Sequence, residues 1–176
     1  MKTYREYIAP TVVLVVICLI STLLLGLTYD KTKPVIDELS IQRANEARQS
    51  VLPAGDNFTQ VDTTLLDNVT EVYIADNGAG VVITTSTKGF GGSVVVMTAF
   101  DMDGTVVGTT VTEAADETPG VGTKATADSH MEAFLGSTAD SELTVDGVAG
   151  ATYTSKAVYN GINAACAQFA SMGGDL

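Results

Sequence analysis

Three hydroxyl side chains, Thr152, Thr154 and Ser155, crowd together directly after the small pair Gly150-Ala151. Ahead of them, Asp146-Gly147 reads as the turn that closes a strand over 142–146, and behind them Ser155–Phe169 reads as a helix. A helix start presents unpaired N–H groups and the positive end of the backbone dipole, which suits a phosphate. Gly150 and Ala151 leave the backbone uncovered, so a bulky group can approach. An ordinary N-cap by Thr154 or Ser155 fits the same residues, and chemistry alone does not choose among the three hydroxyls. About thirty residues earlier stands Glu117-Thr118-Pro119-Gly120-Val121-Gly122-Thr123-Lys124. A proline and two glycines fix an open turn whose backbone can lie against a flat ring and whose amides can reach ring carbonyls. A plain tight connection is the alternative.

The elements that would position these segments can be read from periodicity. Val69, Val72, Ile74, Val81–Ile83, Val94–Val96 and Val106-Val107 fall in short runs. Asp76-Asn77-Gly78, Lys88-Gly89-Phe90-Gly91-Gly92 and Asp103-Gly104 separate them, giving an antiparallel meander of about four strands over 68–114. Residues 115–127 read as loop and 128–136 as a short helix. In the final helix Val158, Ile162, Ala165, Cys166 and Phe169 form an apolar stripe, with Lys156, Asn160, Asn163 and Gln168 on the other face. The fold class is α+β: a single domain with a mainly antiparallel sheet packed by helices.

Before the domain comes an uncharged run from Tyr7 to Tyr29. Its 23 residues would span about 34 Å as a helix, enough to cross a hydrocarbon core. It is too long for a signal-peptide core, and Thr28-Tyr29-Asp30-Lys31 is a poor cleavage site. The organisation expected is therefore a tail and transmembrane anchor over 1–29, a linker over 30–55 holding an amphipathic helix at 33–52, and a cofactor domain over 56–176. In the linker Ile36, Leu39, Ile41, Ala44, Ala47 and Val51 recur loosely at helical spacing.

Composition removes several function classes. A net charge of −12 argues against nucleic acid and against docking on anionic lipid. Two cysteines, Cys18 in the apolar run and Cys166 near the end, make no disulfide framework. With His130 the only histidine, no zinc, haem or iron–sulfur site is expected. Any redox chemistry must come from an organic cofactor. The basic residues flanking the run are close to balanced, so charge does not set its orientation.

The segment Asp146-Gly147-Val148-Ala149-Gly150-Ala151-Thr152 resembles the flavinylation motif of the FMN-binding domain family, Asp-x-x-(Ser/Thr)-Gly-Ala-Thr. Asp146, Gly150, Ala151 and Thr152 match, and Ala149 departs from the usual hydroxyl residue. Glu117–Gly122 is similar to the family's Glu-Thr-Pro-Gly-Leu-Gly loop, with Val121 for leucine. The resemblance extends over nearly the whole chain and is strongest to the G subunits of Rnf complexes, ion-translocating ferredoxin:NAD oxidoreductases. It implies FMN joined through its phosphate to Thr152 by a flavin transferase, in a site that includes Asp146, Gly150, Ala151, Thr154, Ser155, Glu117, Thr118, Gly120, Gly122 and Lys124. It also implies a non-catalytic electron carrier in the cell membrane, with its flavin domain outside the cytoplasm and other membrane and electron-transfer subunits as partners. The related C subunit of the Na⁺-translocating NADH:quinone oxidoreductase and a membrane-tethered flavin-binding sensory module are the alternatives. Loss of a hydroxyl at Ala149 is expected to weaken a local hydrogen bond without abolishing attachment.

Overall fold

The computed structural model describes residues 8–114, 117–141, 143 and 146–173. The chain separates into two compact units, Met1–Arg43 and Ala44–Leu176. Helix α1, Ala9–Val51, is continuous over 43 residues with Pro34 inside it, so the expected anchor and linker helix are one element. One proline removes one backbone hydrogen bond, and no glycine follows it to end the helix. Thr28 and Thr32 donate back to the carbonyls of Leu24 and Thr28 and so stay within the helix. An 18-residue window near the N-terminal end of α1 has mean hydropathy 2.7 and no buried residue, long and apolar enough to cross a membrane. Of the six apolar positions read as a linker stripe, Ile36, Leu39 and Ile41 are exposed, Ala44 and Ala47 are half-buried, and only Val51 is fully covered.

In the second unit, strands β1 (Phe58–Gln60), β2 (Val69–Ala75), β3 (Val81–Lys88), β4 (Ser93–Phe100) and β5 (Val106–Glu113) form one sheet in sequential order. Every pairing is antiparallel. The meander has one strand more than the periodicity shows, because β1 is only three residues long and mostly exposed. Two single-turn elements follow: α2 (Gly122–Ala125), inside the expected loop, and α3 (Asp128–Met131), which runs into a 3₁₀ turn at Glu132–Phe134. Of the strand expected over 142–146, residues 142, 144 and 145 lie outside the described residues; Asp146 is irregular and Leu143 is buried.

Helix α4, Thr152–Met172, covers one face of the sheet. Its apolar stripe packs with Val81, Ile83, Val94, Val96 and Phe100 in the main core. Burying a side chain such as Ile162 completely stabilises the fold by about 1.5–3 kcal/mol. A β-carbon on Gly161 would lie 2.9 Å from Thr85 Oγ1 and 3.2 Å from Val96 Cγ2, so only glycine lets the helix come this close. Thr87 fixes the same contact by donating to the Ala157 carbonyl at 2.7 Å. The opposite face of the sheet is covered by Val51 and Leu52 against Val82, Met97 and Ala99.

One residue assigned to the polar face of α4 does not belong there. Gln168 is fully buried. Its Oε1 accepts from Leu66 N at 2.8 Å, and its Nε2 donates to the Thr64 carbonyl at 3.2 Å. A loop without a ladder partner satisfies its backbone through this amide, a need that helical periodicity cannot reveal.

Candidate functional site

The site is built around the start of α4. The helix begins at Thr152, three residues before the expected position, and this changes the role of each hydroxyl. Ala151 is the N-cap residue and no side chain caps the helix. Its first hydrogen bond runs from Ser155 N to Ala151 O, 2.8 Å. The amides of Thr152, Tyr153 and Thr154 therefore precede the helical ladder. Thr154 and Ser155 do not cap them, contrary to expectation. Thr154 is buried and donates to Glu117 Oε2 at 2.5 Å, while Ser155 Oγ accepts from Val148 N at 3.0 Å. Thr152 is exposed, and its hydroxyl has no hydrogen-bond partner among the described residues.

Gly150 has φ +85°, in the left-handed region where glycine carries no steric penalty, and a β-carbon there would lie 3.8 Å from Val121 Cγ1. The two motifs therefore lie side by side. Ala151 is buried and faces inward, whereas Asp146 is exposed. Beside them Gly147, Val148, Ala149, Thr152, Ser155, Lys156 and Tyr159 line a cavity of about 390 Å³.

Glu117 joins the pieces. It is 4% exposed, and both of its oxygens are engaged inside the protein. Oε1 accepts from Phe90 N at 2.9 Å and Gly91 N at 3.3 Å, at the tip of the β3–β4 hairpin, while Oε2 takes the Thr154 hydroxyl. The carboxylate fills space that β-carbons would otherwise occupy: one on Gly89 would collide with Oε1, and one on Gly122 would lie 2.7 Å from Oε2.

The rest of the loop is self-contained. The amides of Val121, Gly122 and Thr123 donate to the Thr118 carbonyl, and Gly120 N donates to Thr123 Oγ1 at 2.9 Å. These amides are already engaged, so the loop presents side-chain shape rather than free donors. Gly120 has φ +77° with open space around it, and any substitution there strains the backbone whatever its size. Thr118 and Lys124 are exposed.

Two aromatic residues complete the surroundings, and sequence reasoning missed both. Phe90 and Tyr153 are each 70% exposed, with ring centroids 6.1 Å apart. Val121, also exposed, stands on the neighbouring loop. Phe90 was legible only as part of a glycine-rich turn, although an aromatic at a hairpin tip has no core to enter. An exposed hydroxyl, open helix amides and a bordering aromatic surface fit a phosphate-bearing ring system such as FMN.

Comparison with known proteins agrees with this chemistry. Residues 89–167, from the hairpin tip into α4, match the FMN-binding domain. The chain is 31% identical to the G subunit of the Na⁺-translocating ferredoxin:NAD⁺ oxidoreductase complex of Acetobacterium woodii, over 86% of each chain. It is 28% identical to the G subunit of the proton-translocating ferredoxin:NAD⁺ oxidoreductase complex of Clostridium ljungdahlii, covering 98% of this chain and 97% of that one. The G subunit of the ion-translocating oxidoreductase complex of Methanosarcina acetivorans is 28% identical, over 94% of this chain and 95% of its own. By sequence, the chain belongs to the FMN-binding domain family, among the G subunits of ion-translocating oxidoreductase complexes.

Proposed function

We propose that this chain is the membrane-anchored electron-carrier subunit of an ion-translocating ferredoxin:NAD⁺ oxidoreductase complex, with FMN esterified through its phosphate to Thr152. The observation that carries this reading is the exposed Thr152 hydroxyl on an uncapped helix start, beside the loop that Glu117 holds in place. FMN supplies the electron-accepting and electron-donating ring, and the chain supplies its position. The amides of the first turn of α4 would stabilise a phosphodiester on Thr152 by about 0.3–1 kcal/mol if it is exposed and by up to about 2 kcal/mol if partly buried. Lys156, one helical turn on, lines the same cavity and adds positive charge near that phosphate. Gly150 leaves room for the group. The acidic surface of the chain disfavours added negative charge on the ring, which lowers its potential. No residue is assigned as a substrate acid, base or nucleophile, because a relay subunit needs none.

The apolar N-terminal part of α1 anchors the chain by a single pass. The flavin domain stands outside the cytoplasm, in contact with the other subunits of the complex, and a flavin transferase matures it. Peptide mass spectrometry of full-length protein produced with a flavin transferase tests the central claim. The FMN mass is expected on the peptide at Thr152 and on no other, and Thr152→Ala is expected to remove it without lowering thermal stability. An FMN mass on Thr154 or Ser155, or on no peptide, rejects the assignment.

A further inference from the structure

We propose that Glu117 is a positioning residue that does not itself touch the cofactor. It holds the hairpin tip against the first turn of α4, so that Phe90 and Tyr153 wall the flavin ring tethered at Thr152. The inference rests on the reading that Thr152 carries FMN. It adds a wall, Phe90 and Tyr153, and a strut that fixes it.

Three observations carry it. Glu117 takes three hydrogen bonds from two elements distant in sequence, the hairpin tip and α4, and both of its oxygens are occupied. Three of the carboxylate's roughly four acceptor sites are taken by these donors, which gives it a mechanical role. Gly89 and Gly122 carry no β-carbon where one would strike this carboxylate, so its seat is built into the surrounding backbone. The surface it positions also points to a ligand: Phe90 and Tyr153 leave most of their rings exposed, and Tyr153 directly follows the attachment residue. Adjacent exposed aromatic rings are expected where a flat ligand covers them.

Replacing the strut should move the wall without moving the attachment point. Glu117→Gln presents an amide donor where one of the three incoming donors now finds an acceptor. Thr154→Val keeps the shape of the side chain and removes one donor, whereas Thr154→Ser keeps the donor. Phe90→Ala removes one of the wall's two rings and spares the strut, because the bond from residue 90 to Glu117 uses the backbone N–H.

The test uses full-length protein matured with a flavin transferase, with FMN at Thr152 confirmed by mass spectrometry and covalent-flavin fluorescence and visible circular dichroism then measured. Glu117→Gln, Thr154→Val and Phe90→Ala are each expected to retain covalent FMN. They should show several-fold higher flavin fluorescence and a weakened visible dichroism, with Thr154→Ser close to wild type. If FMN sits on Thr152 but Phe90→Ala leaves both spectra unchanged, the wall is wrong. If Phe90→Ala changes them and Thr154→Val does not, the strut is wrong. FMN missing from Thr152 of the wild-type protein overturns this inference together with the function it rests on.

Discussion

Among the described residues, Glu117 and Arg48 are the two most deeply buried ionisable side chains outside the cysteines, each 4% exposed, and they are accommodated in different ways. Glu117 accepts two backbone amides and a buried hydroxyl, donors that have no other partner among the described residues. Arg48, near the end of α1, lies 3.5 Å over the Tyr73 ring. It donates to Asn45 Oδ1 at 2.7 Å and to Glu71 Oε2 at 3.2 Å, and its Nε has no partner among the described residues. Glu71 is 42% exposed, so water screens that ion pair. Removing the acid strands a buried hydroxyl and two amides at the hairpin tip, whereas removing the base strands few acceptors. The comparison shows that a buried charge matters less for its own energy than for the groups left unsatisfied without it.

The sharpest way to break this comparison is Glu117→Ala. It strands two backbone N–H groups and a hydroxyl, with an expected cost of about 3 kcal/mol or more, read from thermal unfolding of full-length protein in detergent. Thr154→Val comes next. A helix cap would be worth about 1 kcal/mol, but a hydroxyl donating to a buried carboxylate is worth about 1.5–3 kcal/mol, so the size of the loss tells the two roles apart. Arg48→Met keeps the packing of the stem and removes the half-satisfied charge. Its expected effect is below about 1 kcal/mol in either direction, and a loss as large as that of Glu117→Ala would erase the distinction.

A pH-dependent effect concerns Cys166, a buried thiol. Burial pushes its thiol up from 9.0 to about 11. Because the folded value is the higher one, the thiol's contribution is fully present below pH 9 and is lost as pH rises toward 11. Unfolding at about pH 8 and about pH 10.5, on either side of the unfolded value, should show a larger decline for wild type than for Cys166→Ala. Equal declines would mean that the thiol ionises as easily folded as unfolded.

Much of the architecture was already legible as pattern. Runs of β-branched residues between glycine turns marked β2 to β5, and the apolar stripe marked α4, because strand and helix periods are local properties of the backbone. The uncharged run from Tyr7 to Tyr29 marked a membrane-length helix for the same reason. Thr152 stands out by motif, while the inward roles of Thr154 and Ser155 have no local signal.

Composition and spacing alone determined the meander, the long apolar helix and the cluster of hydroxyls that follows Gly150-Ala151. Only the tertiary structure decided that α4 begins at Thr152, that Thr154 turns inward to Glu117, and that Gln168 is buried against the loop at 64–66. It also decided that Phe90 stands beside Tyr153. All but the first of these depend on a hydrogen bond or contact between residues far apart in sequence. Periodicity records which face of an element is apolar, but the partner of a buried polar group is set by whatever the fold brings opposite it.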